Sequence, residues 1–305
     1  MATNVRIGNF NLENLFTRYT LLDTEKGSRG KKPIDPQKFV KEGGTILMLK
    51  RQLDKLSPIS GNQRSATAKV ISANAPDILF VQEAENIFAM RLFNTYFLKN
   101  HFAHAMLVDG NDQRDIDVGV FSRYPITHVR SYADDLDGKE KIFSRDCLEV
   151  GFDIKGKQLT AYVNHFKSKI GGGEALRLRQ ATRVAKIAAQ AKTAFVIAGD
   201  LNMSLDEVEM KPLLKLPVEN VVARLPQDEQ WTHAYKRGKG PRKAEFNQFD
   251  YLLVSKDIAG SATPIIERRG LSQDIINFTA PRFSIVKGDG TEASDHCAVF
   301  FDLKL

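Results

Sequence analysis

Apolar and polar residues first alternate clearly over Val5 to Asn14 (VRIGNFNLEN), where Phe10 and Leu12 fall on one face of a strand and Asn11 and Glu13 on the other. The strand therefore ends with an amide and a carboxylate side by side. Two later stretches drop the alternation and run continuously apolar: Ile78-Leu79-Phe80-Val81 and Ala194-Phe195-Val196-Ile197-Ala198. That is the pattern of strands covered on both faces.

Each apolar run follows a stretch of helical period, 64–74 and 174–192, and each ends in an acid, Gln82-Glu83 and Gly199-Asp200-Leu201-Asn202. Equivalent acids at the ends of two βα-type units predict two packed sheets with one site between them. Extended geometry would aim Asp200 and Asn202 the same way. A carboxylate such as Glu83 at the end of a buried strand is costly unless it is paired or bound to a metal.

The same reading gives a central strand between a charged loop and a turn within 114–126, a strand beginning within 144–150, strands over 159–163 and 249–254, and a last strand starting from Asp295-His296. Helices are expected near 45–56, 87–100 and 206–214, and Gly171-Gly172-Gly173 forms a hinge before the long helix at 174. No repeat or Pro/Gly/Ser-rich linker divides the chain. It reads as one domain over 1–305, with insertions around 17–63, 236–243 and 265–290.

Composition narrows the class. The chain has 305 residues, 44 Lys and Arg against 37 Asp and Glu, and a net charge of +7. That is a mild bias toward polyanions. Two Gly-rich basic loops carry much of it. The loop Lys26 to Pro33 either clamps a phosphate backbone or is simply solvated; the loop Lys236 to Lys243, flanked by Trp231 and Tyr235, either places cations beside stacking aromatics or is a hairpin tip.

Only Cys147 and Cys297 are present, without a metal-ligand spacing, which points to reduced thiols and a cytoplasmic location. Val5 to Leu12 already reads as a core strand and leaves no room for an export signal. No stretch approaches the roughly 20 apolar residues of a membrane span, and nothing in the sequence calls for an obligate protein partner.

Candidate chemistry gathers at the strand ends. In Ser294-Asp295-His296 an acid directly precedes a histidine, so that a carboxylate can hold a metal while an imidazole moves a proton. In Asn164-His165-Phe166-Lys167-Ser168-Lys169, Asn164 supplies amide donors, and Lys167 and Lys169 supply positive charge where a phosphate would sit. Asp250 opens another strand. Arg145 either pairs with acids bordering the site or contacts a phosphate. Phosphate-ester hydrolysis needs a hard cation and an aligned water, and a carboxylate-rich, thiolate-free set selects Mg²⁺ or Mn²⁺ over zinc.

Asn11 and Glu13, Gln82-Glu83, Asn164-His165, Gly199-Asp200-Leu201-Asn202, Asp250-Tyr251 and Ser294-Asp295-His296 occur in this order, each at a strand end. Together they resemble the endonuclease/exonuclease/phosphatase superfamily, which includes pancreatic deoxyribonuclease, abasic-site endonucleases and inositol polyphosphate 5-phosphatases. The resemblance implies an α/β fold, a four-layered sandwich of two mixed sheets flanked by helices. It implies Glu83 as the principal Mg²⁺ or Mn²⁺ ligand, helped by Asn11, Glu13 and Asp295. It further implies His296 as the base, oriented by Asp250; Asp200 and Asn202 positioning nucleophile and phosphoryl oxygens; and His165 facing the leaving group.

The adjacent Asn164 and His165 resemble bacterial secreted nucleases with Asn-His-Phe-Lys-Ser. Phe249-Asp250-Tyr251 replaces the Pro-Ala-Trp-Cys-Asp-Arg segment of the 5-phosphatases, which argues against an inositol polyphosphate. The expected activity is metal-dependent hydrolysis of nucleic acid, with DNA the expected substrate and endonucleolytic cleavage the expected mode. The alternative is a phosphatase or phosphodiesterase for a small-molecule or lipid-headgroup ester. A weak salt dependence of substrate binding would favour that alternative.

Overall fold

The structure is a computed structural model; it describes residues 3–15, 19–21, 56–58, 61–235, 245–272, 281–288 and 290–305. Among the described residues, twelve strands form two six-stranded sheets. They are β1 (Asn4–Leu15), β2 (Ile78–Ala84), β3 (His104–Leu107), β4 (Asp117–Ser122), β5 (Ile126–Ser131) and β6 (Cys147–Ile154). The rest are β7 (Lys157–His165), β8 (Ala194–Asp200), β9 (Val218–Asn220), β10 (Asp250–Ser255), β11 (Ile265–Glu267) and β12 (Ala298–Lys304).

The first sheet runs β11-β12-β1-β2-β4-β3 and the second β9-β10-β8-β7-β6-β5. Each is mixed in the same way, with one parallel pair, β1–β2 in the first and β7–β8 in the second, among antiparallel neighbours. The expected α/β architecture of two facing sheets is therefore what the chain forms.

Side-chain alternation builds the layers. Val5 and Ile7 of β1, Ile78 and Phe80 of β2, Leu159, Ala161 and Val163 of β7, and Val196 and Ala198 of β8 interdigitate between the sheets. Full burial of each such aliphatic or aromatic side chain stabilises the fold by roughly 1.5–3 kcal/mol. The odd partners face outward. Leu79 and Val81 meet Ala66, Val70 and Ile71 of helix α1 (Gly61–Asn74) and Met90 and Phe93 of α2 (Ile87–Tyr96), while Tyr162, Phe195 and Ile197 meet Ala181, Val184 and Ile187 of α3 (Glu174–Ala188).

Element ends follow local chemistry. The side chain of Asn86 caps α2 by accepting from the Ala89 amide, and the helix stops at Tyr96, short of the expected 100, because Lys99 and Asn100 turn into left-handed conformations. Helix α3 ends at Ala188 rather than 192. It opens after Gly171, Gly172 and Gly173, all at positive φ, which a glycine run reaches without strain. The stretch 206–214 forms a 3₁₀ turn, Val208–Met210, and a short α-helix, Lys211–Leu214, rather than one helix.

The segment Ile265–Glu267, expected to begin an insertion, instead adds an edge strand to β12, and the last strand starts at Ala298 instead of Asp295. The expected helix at 45–56 lies outside the described residues, except that Leu56–Pro58 is a strand paired with Tyr19–Leu21. The two basic loops also lie outside them. Among the described residues no helix is long and apolar enough to cross a membrane, and Cys147 and Cys297 are both free and buried.

Candidate active site

The second sheet supplies its polar residues in strict register. His165, Asp200 and Asp250 are direct partners across β7, β8 and β10 at one end of the sheet. Alternation from Val163, Ala198 and Leu252 turns all three toward the facing sheet. His165 is buried, with Nε2 3.5 Å from Asp200 Oδ2 and 4.0 Å from Glu83 Oε1. Burial, with Arg145 nearby, holds its imidazole well below the usual histidine range and hence neutral.

The first sheet delivers its carboxylates differently. Ile78, Phe80 and Gln82 share the inner face of β2, so regular alternation would send Glu83 outward. Instead the β2–β4 register shifts between Val81 and Ala84, and Glu83 adopts φ 61°. The β1–β2 register also shifts between Asn11 and Leu15, with Glu13 at φ 45°. Two non-glycine residues in the left-handed region cost of order 1–3 kcal/mol each, and such strain clusters at functional sites.

These breaks bring the acids together. The Asp295 amide donates to Glu13 Oε2 at 2.9 Å, and Asn11 Nδ2 crosses between the sheets to donate to Asp200 Oδ2 at 3.2 Å. Burial pushes the Glu13 carboxyl well above its usual range, reinforced by Asp295, Glu292 and Glu83. Burial and Asp295 raise Glu83 too, although Asn11 hydrogen-bonds to it. Asp200 is pushed up to about 7 by burial, with Asp250 and Glu83 adding to the effect. Oxygen donors that repel one another in this way fit a hard divalent cation.

His296 closes the site from the loop before β12. Its Nδ1 lies 2.8 Å from Asp250 Oδ2, and Nε2 is 3.8 Å from both Asp200 Oδ2 and Asp295 Oδ1. Burial would lower its pKa, but Asp250, Asp200 and Asp295 outweigh that effect and hold it well above the usual histidine range. Ser294 anchors the turn by donating to the Asn11 carbonyl at 2.7 Å and accepting from the His296 amide.

Asn202 reaches the site through a turn rather than through extended geometry. At φ 51° its backbone amide and Nδ2 both donate to Asp200, at 2.9 and 3.1 Å. Asn164 does not reach it. As the neighbour of inward-facing His165 it points to the outer face, where Nδ2 donates to the Tyr162 carbonyl.

The basic residues are also engaged within the chain. Lys169 is ion-paired with Glu207 and lies over the Phe249 ring, while Lys167 Nζ reaches the Ile170 and Ser168 carbonyls. Arg145 is only 3% exposed; it donates to the Phe166 carbonyl and pairs with Asp112 at 3.1 Å. It is a fixed buried charge beside Glu83 and Asp200 rather than an open phosphate contact.

Two site residues had drawn no role from the sequence. Thr232 Oγ1 accepts from the Phe249 and Asp250 amides, both at 3.0 Å. His233 is bridged to His296 through the backbone, with ring centroids 4.7 Å apart. Burial and His296 lower its pKa to about 4. The available signal was period two in Trp-Thr-His-Ala, which places Trp231 and His233 on one face.

A facing pair of mixed sheets with an acid-lined site and a carboxylate-held histidine at one end defines a phosphoric-ester hydrolase fold. The chain belongs to the Endonuclease/Exonuclease/phosphatase family, whose sequence profile matches residues 58–296. No curated protein matches the sequence. Truncated Caenorhabditis elegans TDP2 is similar in structure, with 14% identity, a TM-score of 0.60, and 99% of this chain and 98% of that one covered. D. rerio TDP2 complexed with a single strand DNA product has 14% identity and a TM-score of 0.58, covering 99% and 100%. The human Nocturnin catalytic domain has 15% identity and a TM-score of 0.58, covering 99% and 97%.

Proposed function

We propose that the protein hydrolyses phosphodiester bonds in nucleic acid, with DNA the substrate, and cuts it endonucleolytically. The observation that carries this reading is the His296–Asp250 pair. Its 2.8 Å contact fixes the imidazole through Nδ1 and leaves Nε2 facing the Asp200 and Asp295 carboxylates.

In this reading, once the Asp200 and Asp295 charges that help Asp250 keep a proton on His296 are offset by a bound cation, the freed Nε2 takes a proton from water, whose oxygen then attacks phosphorus in line while the opposite P–O bond breaks. Asp250 holds the ring and stabilises the imidazolium that forms. Asp200 and Asn202, joined by two hydrogen bonds, orient the water and the phosphoryl oxygens. His165, neutral because it is buried, offers the departing oxygen a hydrogen bond rather than a charge. Arg145 adds a fixed positive charge beneath them.

Glu83, as principal ligand, would hold Mg²⁺ or Mn²⁺ with Glu13, Asn11 and Asp295. When bound, the ion supplies positive charge that offsets charge developing on the phosphoryl oxygens. The net charge of +7 supports a polyanionic substrate, and the likeness to D. rerio TDP2, whose structure contains a DNA product, is in keeping with it.

The test is nicking of supercoiled plasmid by purified protein in Mg²⁺, beside EDTA and His296→Ala controls. Metal-dependent nicking that the variant lacks supports the reading. Equal nicking by both preparations, or none in Mg²⁺ or Mn²⁺, overturns it.

A further inference from the structure

Among the described residues, the three His, Cys, Asp or Glu ligand atoms that gather within 4.8 Å of one another belong to His233, Asp295 and His296. This set shares Asp295 with the oxygen-rich group around Glu83 but adds His233 and His296 in place of the other acids. It contains two imidazoles and one carboxylate, donors that favour Zn²⁺ and similar borderline cations over Mg²⁺. We propose that these three residues form a second, transition-metal site that captures Zn²⁺ and thereby switches the hydrolase off.

Three features show that the arrangement is constructed. The backbones of His233 and His296 form an antiparallel bridge, so their side chains emerge on one face as a cross-strand pair, and their rings lie 4.7 Å apart. Each ring is also held from behind. His233 stacks on Phe249 with centroids 5.2 Å apart, and His296 is fixed through Nδ1 by Asp250, a carboxylate–histidine pairing of the kind that orients metal-ligating imidazoles. Finally, the Asp295 side chain is 41% exposed, which gives a cation a way in and gives the carboxylate room to move.

The spacing is within reach of a small adjustment. Zn–N and Zn–O bonds of about 2.0–2.1 Å in tetrahedral geometry put ligand atoms about 3.3 Å apart. His296 Nε2 and Asp295 Oδ1 are already 3.8 Å apart. The half-exposed Asp295 carboxylate can close its own distances by rotating, the two imidazole nitrogens must draw together from within 4.8 Å by a small tilt of the rings, and water completes the fourth position.

The consequence follows from which atom is taken. With Nδ1 committed to Asp250, the nitrogen of His296 that a metal would bind is Nε2, the same lone pair that accepts the proton from water. The binding claim rests on geometry alone; the inhibition claim rests on the proposed role of His296.

The two claims are tested separately. Metal-stripped full-length protein is titrated with Zn²⁺ alone by calorimetry, and the ring resonances of both histidines are followed by NMR. One Zn²⁺ per chain should bind and shift His233 and His296 together, and His233→Phe, which keeps the stack on Phe249, should weaken binding by about 10-fold or more. Should that variant not fold, His233→Gln serves in its place. Absence of binding, unmoved His233 resonances, or equal affinity in wild type and variant overturns the site. Plasmid nicking in excess Mg²⁺ then tests the switch: Zn²⁺ should inhibit wild type, and His233→Phe should need about 10-fold more for the same effect. Zn²⁺ bound through His233 and His296 with undiminished nicking would leave the site standing and overturn His296 as the proton acceptor.

Discussion

The two sheets contribute to the site by opposite means. In the second sheet, His165, Asp200 and Asp250 are direct partners on three neighbouring strands, and unbroken alternation alone aims them inward. In the first, Glu13 and Glu83 reach the site only because the strands lose register and take left-handed turns at both acids. A regular lattice places groups that must hold their spacing. A broken one crowds like charges where a regular strand would have kept them apart, at a cost in backbone strain and repulsion.

The contrast can be probed from its strongest point downward. His296→Ala, which removes the group that both sheets face, should lower turnover about 10²-fold or more while the fold persists, read by plasmid nicking and circular dichroism. Glu83→Gln should raise the Mg²⁺ needed for half-maximal activity roughly 10-fold, since hard-cation affinity follows ligand charge. The same change removes a buried charge that Asp295 repels, so the metal-free protein should melt roughly 2 °C or more higher, and an unchanged Tm would contradict the crowding account.

A smaller effect is expected opposite the β2 break, where Ala84 pairs with Asp117. Burial pushes the Asp117 carboxyl up to about 7 from its ordinary value of 3.8. The folded protein therefore keeps a proton that the unfolded chain releases, and stability from this group falls as pH rises from about 4 to about 7. Asp117→Asn should gain on wild type across that window in urea unfolding; a constant difference would refute the assignment. The smallest catalytic effect belongs to Asn164→Ala. It should cost about 1 kcal/mol of stability through the lost bond to Tyr162, with no change in nicking rate.

What the sequence disclosed follows the same division. Continuous apolar runs at Ile78 and Ala194 revealed the buried strands, and the acids after them marked the site end of each sheet. Period two also had the power to separate Asn164 from His165, since adjacent strand residues cannot face one way. Their shared motif obscured that. The turn at Glu83 was not legible, because nothing in Val-Gln-Glu-Ala announces a left-handed residue. Nor was the fate of Lys169, whose partner Glu207 comes 38 residues later and meets it only in the folded chain.

Thr232 carries a further consequence. Its hydroxyl holds the amides of Phe249 and Asp250, and its carbonyl accepts from the Cys297 amide at 2.6 Å. Asp250 opens a strand of the second sheet and His296 sits in the loop leading into β12 of the first, yet Asp250 and Cys297, the residue after His296, are both pinned to one residue between them. The threonine acts as a common mount, so that small sliding of one sheet over the other carries acid and imidazole together instead of stretching the contact between them.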